Sequence, residues 1–290
     1  MSQRAVESGI VASSTASASV SYAVTFVVFA LFMAWEGVAP RRTGGKGLAW
    51  RWGNNFSLGL LSWYLTAAAG TALMLWLASW TDVAGIGLFT GHSVPHWLAF
   101  LLLLAATQCL SYWVHRAFHQ VPWLWPIHAV HHSDTEVDVS TSYRHHPLEP
   151  LLTLPVSAPL VLLLGPSVEA VAAYRIFAVA ATVFSHSNVT LPEGLERFLR
   201  RFLLTPDFHR THHSAEPRYT NSNYGSLVPW FDYLFGTARH RPYADQATMT
   251  LGLEYLREPG DSRLDRLLFT PLEVPTATRA GDAPSSRQGP

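Results

Sequence analysis

Long apolar runs separated by short polar ones set the plan of this chain. The first run covers about residues 20–38, the second about 56–80 and the third about 94–114. Each reaches the roughly 20 residues that a helix needs to cross the hydrocarbon of a bilayer. A fourth apolar region, 148–187, is interrupted by Gly165-Pro166, a pair that ends one helix and starts another. It predicts a helical hairpin with arms 151–164 and 167–185. The expected fold class is therefore all-α: a polytopic membrane bundle of three spans plus the hairpin, with a histidine-rich helical cap. Residues 1–17 are small and polar and are expected to lack order, as is the Pro/Ala/Ser/Gly tail from about 275. The organisation expected is N-terminal spans over 18–110, a cap-and-hairpin domain over 111–240 and a C-terminal extension over 241–290.

Loop charge gives an orientation. Arg41, Arg42, Lys46 and Arg51 follow the first span, whereas 81–93 holds no Lys or Arg. The positive-inside rule then puts the first connection in the cytoplasm and the second outside. The third span returns to the cytoplasm at His115. A hairpin that enters and comes back delivers His186, and everything after it, to that same face.

Composition agrees with burial in lipid. The chain is 49% hydrophobic but only 14% charged, against roughly 25% charged in soluble domains. Eleven tryptophans suit membrane interfaces. Net charge is zero by count, so no global field draws nucleic acid. The single Cys109 permits neither an internal disulfide nor a thiolate metal cage.

Histidine changes the picture. Of fourteen, eight fall in three tight groups. His115 and His119 share a helix face one turn apart. His128, His131 and His132 lie within an arc of about 100° if helical. His209, His212 and His213 repeat that HxxHH spacing, after a helix start at Thr205-Pro206. Eight imidazoles exceed one zinc site and suit two metals. Iron, copper, nickel and zinc all accept nitrogen ligation. His186 joins the candidates by position. One of His145 and His146 is a further candidate, or Glu149 holds a ligand ring through its second nitrogen. Asp134, Glu136, Asp138 and Asn188 lie near enough in sequence to act in that same way. His92 and His96 fall on the far side and His240 in a basic loop, outside the set.

The order HxxxH, HxxHH, HxxHH resembles the fatty acid hydroxylase / sterol desaturase superfamily of membrane di-iron enzymes. Tyr112-Trp-Val-His-Arg116, Arg144-His-His-Pro-Leu-Glu149, Thr205-Pro-Asp-Phe-His-Arg-Thr-His-His213, Asn223-Tyr-Gly225 and Trp230-Phe-Asp-Tyr-Leu-Phe-Gly-Thr237 extend the likeness over about 111–237. The resemblance implies two irons on His115, His119, His128, His131, His132, His209, His212 and His213, with His186 and His146 as further ligands. It implies hydroxylation or desaturation of an amphipathic lipid with O2. No nucleotide-binding Gly motif or fused haem region is found, so electrons are expected from a separate ferredoxin, cytochrome or reductase. A basic surface around Arg197–Arg201 suits an acidic carrier or anionic lipid. A membrane zinc hydrolase or isomerase, or a metal transporter or sensor, is the alternative open to the same ligands.

Overall fold

The computed structural model describes residues 3–44, 47–90 and 94–274, and these are helical, with two isolated β-bridges and no strand among them. Helix α1 (Gln3–Val38) packs on α7 (Val168–His186) and on α3 (Ala68–Ala84). It begins at Gln3, inside the stretch 1–17 expected to lack order. That stretch holds no proline and several alanines. Once the apolar part of α1 is fixed, each further turn adds hydrogen bonds without a new nucleus. The tail from 275 lies outside the described residues, as does His92.

The second expected span divides into α2 (Leu48–Ser62), a π-helical turn (Trp63–Ala67) and α3, with a bend of 42°. Wide turns of this kind interrupt the regular ladder and redirect a helix. Helix α2 also starts earlier than hydropathy indicates. Its first half buries Arg51, Asn54 and Asn55, so it belongs to the polar cap below the apolar helices.

Helix α4 (His96–Gln120) and α7 are long and apolar enough to cross a membrane, and the bent pair makes a third candidate. Tyr22–Val38 and α6 (Leu148–Leu164) are shorter apolar segments. The helix break falls at Gly165-Pro166, between α6 and α7. Gly165 closes α6 in the left-handed region at φ 58°, and the Ser167 side chain accepts from the Ala170 N–H at 3.2 Å to start α7. Met74, Leu75, Leu103, Val161, Leu164 and Val171 form the core between α3, α4, α6 and α7. Outside it, Phe26, Leu31, Leu60, Leu65, Leu102 and Leu163 are exposed. Such an apolar belt is a lipid-facing surface, and the chain is an integral membrane protein.

The cap is built from short pieces: α5 (Trp125–His132), a 3₁₀ turn (Val139–Tyr143), α8 (Glu193–Leu199), α9 (Pro206–His212), α10 (Pro217–Thr220), α11 (Trp230–Leu234) and α12 (Leu264–Glu273). Prolines stand in the first turns of α5, α9 and α10, where a missing N–H costs no ladder bond. The C-terminal segment is part of this body. Leu253 packs on Trp125 and Ala129, Leu251 on Val137, and Leu267 on Leu58 and Val130.

Helix α2 meets the 3₁₀ turn at Gly59. A Cβ there would lie 2.6 Å from the Tyr143 Cβ and 2.9 Å from its carbonyl oxygen, whereas one on Gly53 meets nothing within 4 Å. Gly59→Ala is therefore expected to destabilise the protein by about 1–3 kcal/mol. Gly53→Ala is expected to stabilise it by about 0.5–1 kcal/mol. Thermal unfolding in detergent reads both, and equal shifts would contradict the packing.

A buried centre of nine imidazoles

Four helix ends converge at the junction between bundle and cap. The last turns of α4 bring His115 and His119, and α5 brings His128, His131 and His132. The end of α7 brings His186, and α9 with the residue after it brings His209, His212 and His213. They sort into two groups. His115, His119, His128, His132 and His212 form one; His131, His186, His209 and His213 form the other. Within each group one ring nitrogen per residue lies within 4.8 Å of the rest. The HxxHH elements thus divide between the groups: in each, one of the adjacent pair faces the first group and the other the second.

The rings are oriented through their outer nitrogens. His115 Nδ1 donates to the Tyr224 carbonyl at 2.8 Å and His212 Nδ1 to the Ser222 carbonyl at 2.6 Å. His186 Nδ1 donates to the Thr182 carbonyl at 2.8 Å. A neutral imidazole that donates from Nδ1 keeps a lone pair on Nε2. His115 and His212 therefore face each other, Nε2 to Nε2 at 3.2 Å, with no proton between them. The pairs His209–His186, at 2.9 Å, and His213–His209, at 3.2 Å, also converge Nε2 to Nε2, while the Nδ1 atoms of His209 and His213 have no partner. His119 and His132 are fully buried, with neither ring nitrogen hydrogen-bonded. Orphaned nitrogens of this kind are unfavourable without a cation. Ligands at about 2.1 Å from one metal stand about 3.0 Å apart in an octahedron and 3.4 Å in a tetrahedron. The spacings match, so the donor set fits a pair of nitrogen-ligated metals.

Protonation is set against charge. Burial, and after it the neighbouring imidazoles, push His131, His132, His209, His212 and His213 far below the ordinary histidine range. His145 goes the other way. Burial opposes its charged form, but the Glu149 carboxylate outweighs that and raises it.

The expected ligand His146 does not join either group. Its Nε2 contacts the Leu268 carbonyl at 3.2 Å. His145 instead stacks on His131, with centroids 4.2 Å apart, and forms a third, smaller group with His128 and Glu149. Adjacent residues leaving the 3₁₀ turn point to opposite sides, and Arg144 fixes which side is which. This fully buried guanidinium donates to the Val130 carbonyl, Asn55 and the Ser133 hydroxyl.

Of the carboxylates and amides expected to orient rings, Glu149 does so. It lies 3.2 Å from His128 Nδ1 and 3.0 Å from His145 Nδ1. Asp134 and Asp138 both take Arg51 of α2 instead, and Asp134 also accepts from Asn55 and Thr141. Glu136 faces Arg42, and Asn188 exchanges hydrogen bonds with the Arg42 backbone. The reason is charge: buried arginines claim the acids first. Thr205 stands at the start of α9, but its hydroxyl donates to Glu196 at 2.6 Å rather than capping the helix. His96 lies exposed at the opposite end of α4, and His240 contacts Arg200; both are outside the groups.

The sequence reading missed the backbone carbonyls. The loop carrying those of Ser222 and Tyr224 is held by Asp232, which accepts from the Tyr224 N–H, the Gly225 N–H and the Thr237 hydroxyl, each at 2.7 Å. Asn223, at φ 54°, ties the same loop to Phe208 and Arg239. The Asn-Tyr-Gly and Trp-Phe-Asp stretches were the available signal.

A cavity of about 220 Å³ opens onto both groups, lined by His115, His128, His131, His186, His209 and Glu149 among others. Through Ser111, Val114 and Thr153 it adjoins an apolar cavity of about 310 Å³ between α3, α4, α6 and α7.

Residues 100–237 match the family model described as fatty acid hydroxylase. Among curated proteins, an alkylglycerol monooxygenase of Danio rerio is 33% identical over 49% of this chain and 30% of its own length. An ornithine lipid hydroxylase of Rhizobium tropici is 29% identical over 61% of this chain and 54% of its own. A very-long-chain aldehyde decarbonylase of Arabidopsis thaliana is 29% identical over 63% and 30%. The chain thus spans about a third of the length of the alkylglycerol monooxygenases it matches. No solved structure matches.

Glu149→Gln is expected to weaken metal binding about 10- to 100-fold by releasing His128, whereas His146→Ala and His96→Ala leave it unchanged. Metal content after equilibration against a chelator measures all three. Loss in His146→Ala would reverse the assignment of the two adjacent rings.

The neutral rings also predict a pH response. Their folded pKa values lie below the unfolded one, near 6.5, so below that pH the unfolded chain binds more protons. The metal-free protein is expected to lose stability from about pH 6.5 downward. A Tm independent of pH between 7 and 5 would show the rings already charged.

Proposed function

We propose that this chain, whose residues 100–237 match the fatty acid hydroxylase model, is a membrane-bound di-iron oxygenase of the fatty acid hydroxylase / sterol desaturase superfamily that hydroxylates or desaturates a lipid. The observation that carries this reading is the pair of imidazole groups, five and four, beneath a cavity that continues between the apolar helices. Iron held by these residues supplies the redox chemistry that an unactivated C–H bond demands and that no side chain provides.

The chain's own residues do the rest. His115, His119, His128, His132 and His212 hold one metal, and His131, His186, His209 and His213 the other. The carbonyls of Ser222, Tyr224 and Thr182 fix the tautomer that presents Nε2 inward. Glu149 and the raised pKa of His145 keep a carboxylate and an exchangeable proton at the cavity mouth. In hydroxylation one atom of O2 enters the lipid and the other leaves as water, with two electrons and two protons. Those electrons come from a separate donor. An outer groove of about 430 Å³ flanked by Arg197, Arg200 and Arg241 supports docking of an acidic carrier. His240 lies there against Phe208, with centroids 5.4 Å apart and His209 next in the chain. Loop charge supports the cytoplasmic face as the side on which the centre lies.

His131→Ala or His212→Ala is expected to abolish both stoichiometric iron and O2-dependent lipid turnover. Lipid profiling under isotopically labelled oxygen reads the outcome. Label in a product means hydroxylation; a new double bond without label means desaturation. Stoichiometric zinc with full activity in the absence of oxygen would overturn the reading in favour of a hydrolase or isomerase.

A further inference from the structure

Arg175 is a cation in an apolar place. It lies on α7 eleven residues before His186, about 16 Å along the axis at 1.5 Å per residue. It lines the 310 Å³ cavity together with Met74, Leu103, Val161 and Val171. Its guanidinium donates to the Thr71 hydroxyl of α3 at 2.5 Å. No ion pair forms with it among the residues whose side chains are described.

Three physical facts bear on it. A guanidinium stays charged under any condition the protein meets. A charge in a low-dielectric bundle is strongly unfavourable until paired. An ionisable residue within membrane helices faces the interior and marks a ligand path. The other buried arginines of this chain have their partners: Arg51 has Asp134 and Asp138, and Arg210 has Asp207. Arg144 is held by a carbonyl, an amide oxygen and a hydroxyl, with Asp134 close enough to favour its charge. Among the described side chains Arg175 has one hydrogen bond, to the neutral Thr71 hydroxyl, with the neutral phenols of Tyr22 and Tyr174 nearby, and an open cavity. The Tyr174 hydroxyl beside it is engaged by Gln108 at 3.2 Å. The acids of the cap cannot serve, because Glu149, the nearest to the cavity system, is engaged by His128 and His145.

We propose that the cavity between α3, α4, α6 and α7 binds a single-chain lipid whose anionic head pairs with Arg175 and whose chain runs toward the histidine centre. This names a substrate class for the lipid oxygenase reading and rests on it. The shared lining residues Ser111, Val114 and Thr153 give the route from the head site to the centre. The polar end is then held away from the metals, and the position presented to them lies in the remote part of the chain. A guanidinium also selects by geometry, since its fork engages two oxygens of one carboxylate or phosphate at once.

The test uses the purified full-length chain, free of metal, in a non-ionic detergent. Binding of hexadecanoate, hexadecyl phosphate and neutral hexadecanol is measured for wild type, Arg175→Gln and Arg175→Lys. Wild type is expected to prefer one or both anions over the alcohol by about 10- to 100-fold, the range of a charge-assisted pair. The stronger anion identifies carboxylate or phosphate as the head. Arg175→Gln is expected to erase the preference, and Arg175→Lys to retain part of it. Equal binding of acid and alcohol by wild type overturns the proposal, as does a preference that survives in Arg175→Gln. If Arg175→Gln does not fold, the wild-type comparison and Arg175→Lys still decide. Because no metal is present, a failure of the iron reading leaves this result standing, and the reverse also holds.

Discussion

Nine imidazoles are buried together, and the centre turns on which nitrogen each presents inward. His115, His186 and His212 donate outward to fixed carbonyls, so His115 and His212 meet as acceptor against acceptor. Burial forbids the escape of protonating them together. A shared cation is the remaining solution, and the architecture of the cap follows from holding the rings ready for it. Asp232 and Asn223 brace a loop far from the metals in sequence because its carbonyls decide which nitrogen each ring presents.

Around this centre lies a frame of opposite character. Arg51, Arg144 and Arg210 are buried, and each is held by several acceptors. The acids nearest the rings, Asp134 and Asp138, are consumed by that frame, which ties α2 to the segment joining α5 and α6. Removing one partner of such a set leaves an unpaired buried charge and is strongly unfavourable. Neither imidazole group contains a carboxylate, and Glu149 remains the one acid at the cavity mouth.

Much of this was legible in the sequence, for particular reasons. Spacings of three and four state which residues share a helix face, and hydropathy states which ends of the helices meet. Together these brought nine histidines to one place. The pair His145-His146 defeated the same logic, because neighbours in a chain point apart and spacing carries no sign. A buried arginine one residue earlier decides between them, through contacts with α2 and α5 that no local pattern encodes. The polar first half of α2 escaped for a related reason: hydropathy finds where lipid begins, not where a helix does. Carbonyl partners such as Ser222 and Thr182 are silent in principle, since every residue has that group.

The division of each HxxHH element between the two groups has a consequence for biosynthesis. His213 leaves the ribosome 98 residues after His115. At ordinary elongation rates that interval is about 5–20 s. Throughout it neither group is complete, and the first rings lie in a nascent chain whose later cover, Leu251 to Leu267, is still unmade. The centre is therefore a clasp that fastens late. Metal arriving early meets a partial set of ligands, and delivery after the last helix is formed is the order that the connectivity favours.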